Sequence, residues 1–141
     1  MRQILATIFC SLMLSQANAA NLVPDDLVGV WATEGSKFSK ELLITGQALY
    51  IDTDGVGVSL GADGKNLAGT RVVVTSYSKV TNILQFDITE SGKVIGGASL
   101  KYDPGQKVIF SPKDQKQIYS RIFTGMTPEL RKSLKIEAKS K

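Results

Sequence analysis

Hydrophobic and polar side chains alternate through most of the chain beyond residue 26, and the period is two. In the segment NILQFDITE, Leu84, Phe86 and Ile88 fall on one side, and the residues between them are polar or charged. Successive side chains point to opposite faces of a strand, so this pattern predicts a β-strand with one buried and one solvated face. The β-branched residues of TRVVVTSYS (70–78) predict another strand.

Short turn sequences separate the predicted strands. A Ser-Gly pair at 91–92, Asp-Pro-Gly at 103–105 and the segment 112–116 each lie between two strands, which repeat about every ten residues. Closing such a meander into a barrel removes the open sheet edges that would otherwise pair with other chains. We therefore predict an all-β fold, a single small antiparallel up-and-down β-barrel of about eight strands with a short C-terminal helix.

One segment departs from the strand pattern. Residues 54–69, DGVGVSLGADGKNLAG, are rich in glycine and aspartate. Such a composition favours turns, so we predict a flexible hairpin or long loop here, with at most a short strand at 56–60. We expect this loop to border the open end of the barrel, where loops commonly meet ligands or partners.

Residues 1–19 have the pattern of a secretory signal peptide. Arg2 precedes an uncharged apolar stretch at 4–14, and Ala-Asn-Ala at 17–19 is a small-x-small cleavage site. The apolar stretch is shorter than the roughly 20 residues that span a bilayer, so we predict no transmembrane segment. The expected location is the periplasm of a Gram-negative bacterium, or secretion, after cleavage near Ala19.

The remaining chain divides into two parts. We assign residues 20–125 to one barrel domain and residues 126–141 to a short helix with a basic tail. Thr127 followed by Pro128 is typical of a helix start, and we expect a helix at about 128–134. The net charge of +4 is concentrated in the tail, with five Lys or Arg against two Glu. A broad basic face is not indicated, so we predict no nucleic-acid partner.

Composition argues against most catalytic chemistry. The chain contains no His, and its single cysteine, Cys10, lies in the signal peptide. The Ser-His-Asp and Cys-His arrangements and the usual zinc sites therefore have no residues to form them. The acidic residues could act as general acids or bases, but nothing in the pattern holds a pair in a pocket. We predict a protein that is not an enzyme and needs no cofactor.

Residues 52–63 match a calcium-binding loop in part. Asp52, Asp54, Gly57 and Asp63 occupy positions 1, 3, 6 and 12 of an EF-hand loop. Position 5 is Val56, which cannot bind a cation, and the flanks resemble strands rather than helices. Aspartate-glycine pairs are ordinary in turns, so we predict no metal site.

The only tryptophan lies in the first predicted strand, in the sequence LVGVW. Closure of the barrel makes the first and last strands neighbours, which brings Trp31 next to Arg121. The ring would cover one end of the barrel, and Gly29 would allow close approach of another group. We therefore predict that Gly29, Trp31 and Arg121 form the closed end. The alternative is an ordinary core tryptophan and an unrelated surface arginine.

This arrangement resembles the lipocalin and fatty-acid-binding-protein superfamily of calycin barrels. Members have Gly-x-Trp on the first strand, an arginine from the last strand against the tryptophan, and often a C-terminal helix. The resemblance maps these positions onto Gly29, Trp31 and Arg121 and implies a barrel that binds a small ligand. A second lipocalin motif, with a Thr-Asp-Tyr pattern, is absent from the sequence.

The inward face of the strands would line such a ligand site. Eight-stranded barrels are either filled by side chains or hold one small ligand. Small residues at 96–98 would leave room, although the same side chains could simply form a packed core. The candidate lining residues are Tyr50, Val72, Val74, Leu84, Phe86, Ile88, Val94, Ala98 and Leu100.

Two functions are consistent with these features. The first is non-catalytic binding of a small apolar or amphipathic ligand inside the barrel. The alternative is a protein-binding module, such as an envelope accessory or an inhibitor of a secreted enzyme, which uses a filled barrel as a scaffold. The partners expected are thus a small apolar ligand or an envelope or secreted protein.

Overall fold

A computed structural model describes residues 23–136, which form one antiparallel sheet closed on itself. The predicted signal peptide and the last five residues of the basic tail lie outside the described residues. The elements are a 3-10 helix at Asp25–Leu27, then β1 (Gly29–Thr33), β2 (Lys37–Ser39), β3 (Leu42–Ile51), β4 (Val56–Asp63), β5 (Leu67–Ser78), β6 (Ile83–Glu90), β7 (Lys93–Asp103), β8 (Val108–Phe110), β9 (Ile118–Phe123) and helix α1 (Pro128–Ser133).

Strand β1 closes the barrel because it pairs with two strands. Trp31 lies opposite Leu49 of β3 on one side and opposite Arg121 of β9 on the other. The strands from β3 to β9 pair in chain order, and β2 pairs with the start of β3 on the same edge as β1. Eight strands form the ring. The predicted all-β, up-and-down antiparallel barrel with a short C-terminal helix is confirmed.

The two ends of the barrel differ in what covers them. The 3-10 helix and the turns at 52–55, 79–82 and 103–107 lie at one end, which we call the closed end. The turns at 64–66 and 91–92 and the segment 111–117 lie at the opposite end, which we call the open end. This division follows from the antiparallel order, because consecutive turns alternate between the two ends.

Two hydrophobic clusters lie on opposite sides of the barrel wall. The inner cluster fills the closed half of the barrel and contains Leu27, Trp31, Val74, Leu84 and Ile109, all with at most 1% of their surface exposed. The outer cluster lies between the outer face of β1, β3 and β4 and the C-terminal segment; its buried members are Val30, Ala32, Leu43, Ala48, Tyr50, Val56, Val58, Leu60, Leu130 and Ile136.

Helix α1 begins where the sequence indicated. The Thr127 side chain accepts a hydrogen bond from the backbone N–H of Leu130 at 3.1 Å, and Pro128 is the first helical residue. Such a cap satisfies one of the backbone donors that a helix start leaves unpaired. Leu130 then packs into the outer cluster, so the helix covers the outside of the barrel rather than its end.

For residues 54–69 the predicted hairpin at the open end is present, but the long-loop alternative and the strand limited to 56–60 were wrong. Most of the segment is regular strand, since β4 spans Val56–Asp63 and β5 begins at Leu67. β4 pairs with β3 through residues 57–63 and with β5 through residues 56–62. These two ladders satisfy the backbone hydrogen-bonding groups of the segment despite its glycine-rich composition. Asp54 lies at the closed end, and only the tight turn at 64–66 reaches the open end.

Candidate ligand-binding site

Trp31 is the centre of the closed end. Its side chain is fully buried, and the indole Nε1 donates a hydrogen bond to the carbonyl oxygen of Leu27 at 3.0 Å. The ring meets Tyr102 edge to face, with centroids 6.0 Å apart and an interplanar angle of 82°. This geometry is favourable for aromatic pairs, and the hydrogen bond satisfies the one polar atom of the indole.

Arg121 ties the N-terminal segment to the last strand. Its Nη2 donates to the carbonyl oxygens of Asp25 at 2.8 Å and Thr124 at 3.0 Å. Its Nε donates to the carbonyl oxygen of Val28 at 3.1 Å. The guanidinium thus acts as a multiple hydrogen-bond donor to backbone carbonyls, beside its cross-strand partner Trp31.

Gly29 allows the first and last strands to approach closely. It has φ +134, and a Cβ at this position would lie 2.1 Å from the carbonyl oxygen of Phe123. A side chain cannot be accommodated there without displacing the backbone of β9. Gly29, Trp31 and Arg121 therefore lie together at one end of the barrel.

The open half of the barrel contains a cavity of about 380 Å³. This volume falls within the range of ordinary small-molecule sites, about 300–1,000 Å³. The wall is made by β3 to β7, by β9 and by the segment before β9. The lining residues are Leu49, Ser59, Thr70, Val72, Phe86, Ile88, Ile95, Ala98, Leu100, Ser111, Gln117 and Tyr119.

The chemistry of this wall is apolar with a few uncharged polar groups. Seven lining residues are aliphatic or aromatic hydrocarbons, and the other five carry hydroxyl or amide groups. No charged side chain lines the cavity among the described residues. Convergence of a few polar groups on an apolar concave surface is typical of small-molecule sites.

Most of the predicted lining residues lie inside the barrel, at two depths. Five of them line the cavity, namely Val72, Phe86, Ile88, Ala98 and Leu100. Val74 and Leu84 lie in the inner cluster and are fully buried, below the cavity and towards the closed end. The inner cluster thus forms the floor, and the cavity lies between this floor and the open end.

Tyr50 was wrongly assigned to the interior. It belongs to the outer cluster, and its hydroxyl donates to the carbonyl oxygen of Glu41 at 2.8 Å outside the ring. The adjacent residue Leu49 lines the cavity instead. All four residues from Ala48 to Ile51 are buried, because β3 is covered on both faces, so alternation gives no sign of which face points inward.

Val94 was also wrongly assigned to the interior. Opposite the step from Ile88 to Thr89, β7 contains one extra residue, because Ile88 pairs with Gly96 and Thr89 pairs with Val94. Such a bulge shifts by one position the alternation of inward-facing and outward-facing side chains along the strand. Ile95 therefore lines the cavity, and Val94 is 62% exposed.

Several lining residues were missed by sequence reasoning. Thr70 shares a face with Val72, and Tyr119 shares a face with Arg121, so strand alternation could have identified both. Ser59 lies in the glycine-rich segment 54–69, where the composition favours turns and gives no clear alternation. Ser111 and Gln117 lie outside strands, so no alternation in the sequence predicts that they line the cavity.

Three polar side chains form a cluster at the open end. Gln117 Nε2 donates to the hydroxyl oxygen of Tyr119 at 3.1 Å and also to Gln47 Oε1. The Tyr119 hydroxyl lies 3.4 Å from Gln47 Oε1, at the long limit of a hydrogen bond. Burial raises the pKa of Tyr119, so the phenol stays protonated at neutral pH.

The carboxylates of the calcium-like pattern contact an arginine of helix α1. Arg131 Nη1 lies 2.7 Å from Asp52 Oδ2, and Arg131 Nη2 lies 2.9 Å from Asp54 Oδ2. Asp63 lies at the opposite end of β4 and accepts hydrogen bonds from the backbone N–H groups of Lys65 and Asn66. The four pattern positions therefore do not converge on one point.

No protein-family model matches the chain, and neither the curated proteins nor the solved structures contain a match to it. Within residues 23–136, no helix has the length and apolar character needed to cross a bilayer. The described residues thus form a closed eight-stranded antiparallel barrel with a filled closed half and a cavity in the open half.

Proposed function

We propose that this protein is a non-catalytic binding protein that holds a small apolar or amphipathic molecule in the open half of a lipocalin-like barrel. The observation that carries the proposal is the cavity of about 380 Å³ between the inner cluster and the open end. A barrel that served only as a scaffold would have no need of this space, because eight strands can be filled completely by side chains.

The packing of the two halves supports this function. The closed half holds Trp31, Leu84 and Ile109, none of which is exposed to solvent. The rigid floor that they form can support a site without itself rearranging. Around the open half, Ala98 contributes little volume, and a larger side chain there would fill space that the ligand needs.

The chemistry of the wall supports binding rather than catalysis. General acid–base and nucleophilic mechanisms need titratable or activated groups that converge on a substrate. The lining offers aliphatic side chains, one phenol, one amide and three hydroxyls. The signal-peptide pattern of residues 1–19 supports delivery to the periplasm or beyond, where such a carrier would meet its ligand.

Ligand uptake can be tested with a fluorescent apolar probe, N-phenylnaphthylamine. We expect the purified protein to enhance its fluorescence saturably and Ala98→Trp to abolish the enhancement, because the indole would occupy the cavity. Gln85→Trp is the matched control, since Gln85 lies on the outer face of β6, opposite Ser99. Equal binding by both variants and the unmodified protein, with both variants folded by circular dichroism, would contradict the proposal.

A protein-binding module is the second candidate, favoured by exposed apolar side chains near the open end. Leu67, Val94 and Ile95 are each more than half exposed, at the start of β5 and of β7. Clustered exposed apolar residues mark interaction sites more often than isolated ones do. Under this alternative, Leu67→Ser with Val94→Ser would abolish partner capture from an envelope extract, and Ala98→Trp would leave capture intact.

A further inference from the structure

The polar cluster of Gln47, Gln117 and Tyr119 lies where the pairing of β1 with β9 ends. β1 ends at Thr33, whose cross-strand partner is Tyr119. Beyond this point the Ser36 hydroxyl bonds the backbone of Gln47 in place of a β1 ladder, and the side chains of Gln47 and Gln117 meet directly. The cluster therefore sits at the margin of the cavity, with Gln117 and Tyr119 in its wall.

The cluster retains hydrogen-bonding capacity after its internal bonds are formed. Gln117 uses its amide nitrogen for both internal bonds, and Gln47 uses its amide oxygen. Within the described residues, no hydrogen bond reaches the Gln117 amide oxygen or the Gln47 amide nitrogen. An amide oxygen accepts hydrogen bonds and an amide nitrogen donates them, so the cluster offers a ligand one acceptor group and one donor group.

The electrostatic surroundings disfavour an anionic ligand. Within residues 23–136 no cationic side chain lines the cavity, and an unpaired carboxylate transferred into an apolar site loses several kcal/mol of hydration. Just outside, Gln117 adjoins a shallow depression that it shares with Glu34, Asp114 and Lys116, so two carboxylates accompany one ammonium group. A carboxylate head at this margin would meet no net positive charge.

We infer that the cavity takes an uncharged single-chain amphiphile whose head group both donates and accepts hydrogen bonds, such as a primary amide or a hydroxyl. The head lies against Gln47, Gln117 and Tyr119, and the hydrocarbon chain lies against Leu49, Val72 and Phe86. At roughly 30 Å³ for each water-sized group, the volume encloses about a dozen non-hydrogen atoms, and a larger molecule such as N-phenylnaphthylamine would extend through the open end. This inference rests on the proposed function.

Calorimetric titration with decanamide and with decanoic acid compares two ligands of equal size that differ in charge. At about pH 8 the acid is ionised and the amide is neutral. We expect the amide to bind at least tenfold more tightly, and the acid to bind more tightly as the pH falls and its carboxyl group becomes protonated. Equal affinities, or tighter binding of the acid at about pH 8, would overturn the inference.

The same experiment separates failure of the inference from failure of the proposed function. If N-phenylnaphthylamine binds but neither decyl ligand does, the inference on the head group is wrong and an apolar site remains. If none of the three compounds binds, the proposed function fails and the inference fails with it.

Two substitutions locate the head group. Gln117→Lys adds an ammonium group at the margin of the cavity and should raise the affinity for decanoate about tenfold. Gln106→Lys is the control, because it makes the same charge change in the exposed turn at the closed end, and it should change the affinity for decanoate less than twofold. Tyr119→Phe removes the hydroxyl that holds the Gln117 and Gln47 amides in place, so it should weaken decanamide about threefold to tenfold, the equivalent of one neutral hydrogen bond, and leave N-phenylnaphthylamine binding unchanged. Equal effects of the two lysine substitutions would overturn the assignment.

Discussion

Arg131 of helix α1 and Asp54 of the turn between β3 and β4 form a two-point ion pair. Nη2 lies 2.9 Å from Oδ2, and Nη1 lies 3.2 Å from Oδ1. Nη1 also contacts Asp52, so one guanidinium joins the helix to both carboxylates of the turn. Bidentate pairs of this kind are stronger and more directional than single contacts, and this one fixes α1 over the outer cluster.

Removing this guanidinium should loosen the C-terminal helix. We expect Arg131→Gln to lower the free energy of unfolding by about 1–3 kcal/mol, with partial solvent exposure keeping the loss towards the lower figure. Urea denaturation measures the change. Lys132→Gln is the control, because it removes the same charge from an exposed position of the same helix. A loss equal to that of the control would contradict a structural role for the ion pair.

The same pair should make stability depend on acid pH. Burial alone would raise the pKa of Asp54, but hydrogen bonds from Arg131 and from the Val56 N–H, with the charge of Arg131, lower it below 3.8 overall. A folded-state pKa below the unfolded value favours folding above the unfolded pKa, and this contribution is lost as the pH falls through the folded pKa. The difference between the unmodified protein and Arg131→Gln should therefore shrink below about pH 4. A difference independent of pH would contradict this account.

Trp31 should be among the most sensitive positions for stability. Trp31→Ala removes a fully buried ring at the closed end and should lower the free energy of unfolding by about 3–5 kcal/mol. Trp31→Phe should cost less, since it keeps an aromatic ring but leaves the carbonyl oxygen of Leu27 without its side-chain donor. Guanidinium denaturation followed by circular dichroism measures both. A loss below about 0.5 kcal/mol for the alanine variant would contradict a core position, where such truncations cost several times more.

Two glycines of β4 make a matched pair. A Cβ on Gly57 would lie 1.9 Å from the backbone carbonyl oxygen of Tyr50, whereas a Cβ on Gly61 would meet no atom within 4 Å. We expect Gly57→Ala to be destabilising by several kcal/mol, because β3 and β4 must separate. Gly61→Ala should be neutral or stabilising by up to about 1 kcal/mol, through reduced entropy of the unfolded chain. Similar melting temperatures for the two variants would contradict the close approach of the strands.

The outer cluster should give the barrel an alkaline limit. Burial raises the pKa of Tyr50 to about 12, and the charge of Glu41 adds to this effect, against a hydrogen bond from the Leu43 N–H. A raised folded-state pKa contributes stability below the unfolded pKa, about 10, that is lost as the pH rises towards the folded pKa. Stability should fall between about pH 10 and 12, and less steeply in Tyr50→Phe. Parallel curves for the two proteins would show that Tyr50 does not contribute.

Strand order and the closure of the barrel were accessible from local pattern because antiparallel neighbours follow one another in the chain. The alternating residues of β6 and the turns at 91–92 and 103–105 are close together in the sequence. They therefore predict the pairing of β6 with β7 and of β7 with β8. Closure alone makes β1 and β9 neighbours, and the register of these strands then places Trp31 opposite Arg121. The start of α1 was likewise local, since Thr127 and the N–H that it caps are three residues apart.

The sequence by itself determined the fold class, the strand order and the start of the helix, because each depends on residues that are near neighbours in the chain. Only the tertiary structure decided which face of β3 points inward, since the C-terminal segment packs on the outer face and leaves both Leu49 and Tyr50 buried. It also decided the bulge that places Ile95 rather than Val94 in the cavity wall, and the cavity itself. These depend on how separate strands match in register and volume, and no local pattern records that match.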